Sequence, residues 1–212
     1  MSGPRCFVVG DIHGCYLKLK KLLARLDWTP GGDDLLIFLG DYIDRGPQSY
    51  EVVDTLADLA DRAPNVVTLM GNHEDVFLRF ISGAISISPG DCDNGLSATV
   101  RNYTQPGREL TPEHLRFLNG LLPYFETEGH IFVHAGLRPG RPPYSQSLHD
   151  LLWIRDEFLH SNYDFGRLVV FGHTPFKQPF QAPGRLGLDT GAVFGGPLTC
   201  VVLPELRFII SE

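Results

Sequence analysis

The chain has no surplus of positive charge: 18 lysines and arginines stand against 25 aspartates and glutamates, a formal net charge of -7. Broad nucleic-acid footprints reward basic patches, so that class of partner is excluded. Long apolar runs are also missing, and nothing approaches the roughly 20 residues that a membrane-spanning helix needs. The apolar run Cys6–Val9 is too short to be the core of a secretion signal. Cysteine is scarce, and Cys6, Cys15, Cys92 and Cys200 show no CxxC spacing, which removes a disulfide framework and a zinc knuckle. Cys6 and Cys200 sit inside apolar runs, as small buried thiols do. No GK[ST] triplet occurs, so a nucleoside-triphosphate motor has no support. Together these absences lead us to expect a reduced, cytoplasmic protein without membrane or nucleic-acid partners.

What is present is enough for one core. With 212 residues and 43% apolar content, the chain suits a single domain spanning 1–212. Its first third repeats one phrase three times: a short β-branched or aromatic run, a glycine-led polar turn, then an amphipathic segment. Cys6–Val9 leads into Gly10-Asp11-Ile12-His13-Gly14; Leu35–Leu39 into Gly40-Asp41-Tyr42-Ile43-Asp44-Arg45-Gly46; Val66–Met70 into Gly71-Asn72-His73-Glu74. Strand, turn and helix in that order predict βαβ units and largely parallel pairing. Residues 84–110, rich in Ser, Gly, Pro and Asn, read as a long irregular insertion. Beyond it the pattern predicts a helix over 112–121 capped by Thr111, and a hairpin of Tyr124–Glu126 and Ile131–Val133. A short helix follows over 148–153, then a strand at 168–171 and short strands at 186–188, 198–203 and 206–210. The expected fold is α/β, with two mixed β-sheets sandwiched between helices and the polar turns at the strand carboxyl ends.

The chemistry collects at those turns. Asp11, His13, Asp41, Asn72, His73, His134 and His173 all fall within a few residues of a predicted strand end, each beside a glycine. A lone histidine there is ordinarily a satisfied polar residue. Four such turns with histidine and two with aspartate make that reading a poor fit. Carboxylate with imidazole suits manganese, iron or zinc, and the absence of cysteine from this set argues against structural zinc. Asp11, His13, Asp41, Asn72, His134 and His173 suffice for two divalent ions if one carboxylate bridges, and Asp41, on the middle repeat, is the natural bridge. Such a centre is net positive and attracts phosphate even in an acidic protein.

The ordered series GDIHG, GDYIDRG, GNHE, HAG and GHT, running from Gly10 to Thr174, resembles the phosphoprotein-phosphatase branch of the calcineurin-like metallophosphoesterases. That branch includes serine/threonine protein phosphatases and symmetrical bis(nucleosyl)tetraphosphatases. The resemblance implies that Asp11, His13 and Asp41 hold one metal, and Asp41, Asn72, His134 and His173 the other. It implies that His73 is the general acid, with Asp44 as its partner, and that Arg45 clamps the phosphoryl group. Arg155 matches a second phosphate-binding arginine. A metal-bridging hydroxide would attack phosphorus directly. Two departures stand out. Met70 occupies a position where many relatives carry arginine, and Asp189-Thr190-Gly191-Ala192-Val193 replaces the SAPNY segment of the eukaryotic enzymes. The tail points to the bacterial and phage group, without regulatory subunits. The expected activity is therefore phosphomonoester hydrolysis by a serine/threonine or dual-specificity protein phosphatase using manganese. The alternative is a symmetrical diadenosine tetraphosphate hydrolase; a non-catalytic metal-binding scaffold is disfavoured because every ligand and the acid are present.

Overall fold

The computed structural model of the chain describes residues 4–86 and 95–212. Its strands are short and almost wholly buried, and their alternation shows why. In β1 (Cys6–Val9), Phe7 and Val9 join a cluster with the helices, while Cys6 and Val8 join a cluster containing Phe132 and Val170 of a second sheet. Successive side chains point to opposite faces of a strand, and here both faces are covered. An uninterrupted apolar run is therefore the correct pattern for such a strand.

The first sheet adds β2 (Leu35–Phe38) and β3 (Val66–Thr68), both parallel to β1, β9 (Thr199–Leu203), antiparallel to β1, and β10 (Arg207–Ile210), antiparallel to β9, in the order β10-β9-β1-β2-β3. The second sheet runs β4-β5-β6-β8-β7, built from β4 (Tyr124–Glu126), β5 (His130–Val133), β6 (Leu168–Phe171), β7 (Phe180–Ala182) and β8 (Arg185–Gly187). β5, β6 and β8 are parallel; β4 and β7 close the edges antiparallel. Helices α1 (Tyr16–Leu23), α2 (Ser49–Arg62), α3 (Asn72–Ile81) and α5 (Pro112–Asn119) send apolar residues to the outer face of the first sheet. Leu151, Ile154 and Phe158, from α6 (Leu148–Trp153), α7 (Asp156–Leu159) and their junction, cover the second. Two mixed five-stranded sheets between helices is the expected class.

Most local expectations hold within a residue or two. The Thr111 side chain accepts the His114 amide at 3.2 Å, so the expected cap of α5 is formed. One expectation fails. Within residues 84–110, read as irregular, Leu96–Tyr103 is a helix, α4, whose Leu96 and Thr99 are buried; residues 87–94, and Cys92 with them, lie outside the described residues. Gly95 in a left-handed conformation starts it, and its apolar contacts come from tertiary packing that propensity cannot see. The short β7 and α7 were also not expected. Among the described residues no helix is long and apolar enough to cross a membrane.

The parallel strands β1, β2 and β3 face β5, β6 and β8 so that their carboxyl-end turns meet. Across that seam the His134 ring donates from Nδ1 to the Leu39 carbonyl at 2.9 Å.

Candidate metal centre

The turns that converge here are strained at the residues that carry chemistry. Among the described residues only six non-glycine residues have positive φ, and five are His13, Asp41, Asp44, Arg45 and His173. Such angles cost about 1–3 kcal/mol each and persist where surrounding contacts over-determine them. Glu74 supplies much of that restraint. It sits in the first turn of α3, fully buried, and its carboxylate accepts the amides of Asp41 at 2.9 Å, Tyr42 at 2.8 Å, Ile43 at 3.2 Å and Gly71 at 3.0 Å. The glycines serve mainly by close approach. A Cβ on Gly71 would lie 2.2 Å from Asp41 Oδ1, and one on Gly172 would lie 2.1 Å from Asp11 Oδ1.

Two overlapping groups of buried donors result. Ligand atoms of His13, Asp41 and His73, and of Asp41, His134 and His173, lie within 4.8 Å of one another, with Asp41 common to both. Asp41 Oδ2 is 3.4 Å from His13 Nε2, and its Oδ1 is 3.4 Å from His134 Nε2. The ring tautomers suit this arrangement. His13 donates from Nδ1 to the Ile43 carbonyl at 2.8 Å and His134 from Nδ1 to Leu39, leaving both Nε2 lone pairs facing inward. Asn72 Oδ1 is 3.0 Å from His134 Nε2 and 2.9 Å from His173 Nδ1. Asp11 is buried at the same place, but its two oxygens accept the His173 amide at 3.1 and 2.9 Å and it belongs to neither group.

His73 and Asp44 form the expected pair: Nδ1 lies 2.6 Å from Asp44 Oδ2. Asp44 is itself held by Thr99 of α4, whose hydroxyl donates to Oδ1 at 2.5 Å and accepts the Asp44 amide at 2.9 Å, and by Ser49 Oγ, which accepts that amide at 3.1 Å. Arg45 is exposed and its Nη1 approaches His13 Nε2. Arg155, also exposed, donates to Thr174 Oγ1 at 3.1 Å beside His173. Sequence reasoning found neither Glu74's role nor Thr99, nor Asp189, which is buried here with Oδ1 accepting the Gly191 amide at 2.9 Å. The Asp189-Thr190-Gly191 turn signal was visible; nothing marks Thr99 in the sequence.

The electrostatics fit a cation. Burial, reinforced by the carboxylates of Asp189 and Asp41, pushes the Asp11 pKa far up, and burial raises Asp189 to about 6 and Glu74 to about 8. Burial lowers His13 to about 3 and His173 to about 2, and lowers His134 as well, so these imidazoles are neutral and able to ligate. Asp41 goes the other way: burial opposes its ionisation, yet His134, His73, His13 and His173 together hold its pKa below the usual range. His73 is raised, because Asp41 and the Asp44 hydrogen bond outweigh burial. Several carboxylates share one buried space with the neutral imidazoles of His13, His134 and His173, a donor set that divalent ions would satisfy.

Residues 4–208 match the family model described as calcineurin-like phosphoesterase. Similar proteins include the asymmetrical bis(5'-nucleosyl)-tetraphosphatase PrpE of a Geobacillus species, 31% identical over 95% of this chain and 91% of that protein. The protein of the same name from Anoxybacillus flavithermus is 29% identical with the same coverage. A crystal structure of a protein provisionally described as a diadenosine tetraphosphatase superposes with a TM-score of 0.76 at 26% identity, covering 98% of this chain and 92% of the other. A cold-active protein tyrosine phosphatase shares the fold, with a TM-score of 0.71 at 17% identity, covering 99% of this chain and 76% of the other.

Proposed function

The chain belongs to the calcineurin-like phosphoesterase family, and from that premise we propose that it hydrolyses dinucleoside tetraphosphates at a two-metal centre. The observation that carries the chemistry is the pair of buried donor groups sharing Asp41. The substrate class is supported by relatives of matching length named bis(5'-nucleosyl)-tetraphosphatases. The motif series alone favours a protein phosphatase; the relatives favour the alternative reading, with one revision, since their name specifies asymmetrical rather than symmetrical cleavage.

In this proposal Asp11, His13 and Asp41 hold one ion, and Asp41, Asn72, His134 and His173 the other. Manganese is the preferred ion and iron or zinc the alternatives. When bound, the ions supply Lewis acidity and activate the attacking water. The chain's own residues do the rest. Arg45 and Arg155 donate to the phosphoryl oxygens through planar forks and neutralise charge as it develops. His73, whose protonated form Asp41 and Asp44 favour, gives its proton to the departing oxygen. A nucleotide is a good leaving group that needs this proton less than a serine alkoxide does. A cytoplasmic setting belongs to the same proposal and agrees with the free thiols of Cys6, Cys15 and Cys200.

Specificity constants for diadenosine tetraphosphate and a phosphoserine peptide, measured with added manganese, test the substrate. The dinucleotide is expected to be the better substrate and to yield a nucleoside triphosphate with a monophosphate. Faster turnover of the peptide would restore the phosphatase reading, and two diphosphates would restore symmetrical cleavage.

A further inference from the structure

The mouth of the centre carries two large apolar side chains that burial does not explain. Phe194 is 67% exposed and Trp153 36% exposed. Single exposed apolar residues are ordinary on protein surfaces. These two differ in their neighbours: Phe194 packs against an arginine that itself reaches a candidate metal ligand, and Trp153 packs against a candidate ligand directly. The guanidinium carbon of Arg45 lies 5.7 Å from the Phe194 ring centroid, and the same arginine reaches His13. The Trp153 ring stands edge-on to His173, 6.1 Å between centroids at 80°, and Arg155 is two residues on, bonded to Thr174. His13 belongs to one donor group and His173 to the other, so each half of the centre has its own aromatic-and-arginine pair.

Both rings are held on restrained backbone. Lys18 of α1 donates its Nζ to the carbonyls of Ala192 at 2.7 Å and Gly196 at 2.5 Å, closing the turn that presents Phe194. Asp189 accepts the Gly191 amide in the same turn, and Thr190 Oγ1 donates to the Pro197 carbonyl at 2.7 Å. Trp153 ends α6, whose Leu151 and Leu152 are buried and whose first turn is capped by Ser147 accepting the Asp150 amide at 3.0 Å. A large ring fixed in water beside a phosphate-binding arginine suits a ligand with a flat apolar face next to an anion. A nucleotide has that form.

We propose that Phe194 and Trp153 are stacking platforms for the two nucleobases of a dinucleoside polyphosphate, one beside each half of the metal centre. The inference rests on the dinucleotide reading given above and adds the residues that select for bases. Neither ring touches the reacting atoms; they are specificity determinants.

The test measures KM for diadenosine tetraphosphate and the inhibition constant of inorganic tetraphosphate, which carries the phosphate chain without bases. Phe194→Ala and Trp153→Ala are each expected to raise KM about 5- to 150-fold, the range that one base–aromatic stack commands. The inhibition constant of inorganic tetraphosphate should rise much less, and Phe194→Trp should restore KM, which a merely folding-defective position would not allow. Equal rises in both constants, or no change in either, would overturn the assignment. If the unsubstituted protein leaves the dinucleotide uncleaved, the functional reading itself fails; cleavage with unaltered KM in both alanine variants defeats only the platforms.

Discussion

His73 sits between two carboxylates, bonded to Asp44 at 2.6 Å and 3.9 Å from Asp41. Its raised pKa means that the protonated, proton-donating form persists to higher pH than in a free imidazole, and is lost as pH rises through that pKa. Asp44→Asn removes one of the charges responsible, so the alkaline limb of the pH–rate profile on an alkyl phosphomonoester should move to lower pH. An unmoved limb would separate Asp44 from the acid. His73→Asn should cost about 10²–10⁴-fold on that substrate and less on the dinucleotide, with metal content unchanged. Gly172→Ala tests crowding, because the added methyl meets Asp11 Oδ1 at 2.1 Å; weaker manganese binding by equilibrium dialysis is expected. At this scale the sequence was informative where a side chain follows a strand end, as for His13, Asp41 and His173. It was uninformative for Thr99, whose role arises only from what the fold brings beside it, and for Asp189 it showed a turn but not its burial beside the centre.

Helix α4 shows the limit of local reading. Its sequence is Leu-Ser-Ala-Thr-Val-Arg-Asn-Tyr, opened by a left-handed Gly95, in a stretch whose composition suggests a loop. What makes it a functional element is packing against α2, with Thr99 bonded to Asp44 and Asn102 accepting the Tyr50 amide at 2.7 Å and donating to the Pro47 carbonyl at 2.6 Å. Thr99→Val keeps shape but leaves Asp44 with fewer donors. It is expected to cost about 1–3 kcal/mol of stability in chemical denaturation, and to lower kcat without loss of metal. By contrast, β1, β2, β5 and β6 were legible because strands buried on both faces need unbroken apolar runs. The edge strand β7 was not, since its burial is partial and it pairs on one side only.

The whole molecule is two sheets whose carboxyl ends press several carboxylates together, and that arrangement couples its stability to metal and to pH. Asp189, raised to about 6, and Glu74, raised to about 8, have folded pKa values above their unfolded ones. Their stabilising contribution is present below about pH 4 and is lost as pH rises through those values. His13, His134 and His173, whose folded pKa values lie below their unfolded ones, act in the opposite sense up to about pH 6.5. Metal-free protein should therefore lose thermal stability between about pH 7 and pH 8, where Glu74 still titrates. Binding of divalent ions offsets the same repulsion, so the gain in Tm on adding manganese should be larger at about pH 8 than at pH 5. A gain independent of pH would contradict this coupling.

The central claim is hydrolysis of dinucleoside tetraphosphates at two metals sharing Asp41. Its most direct test is a manganese titration of chelator-treated protein, with bound metal and the initial rate on diadenosine tetraphosphate measured on the same samples. The account predicts no hydrolysis without metal and a rate that reaches its maximum at two ions per chain. Full activity in the metal-free protein, or saturation with manganese without cleavage of the dinucleotide, would contradict it.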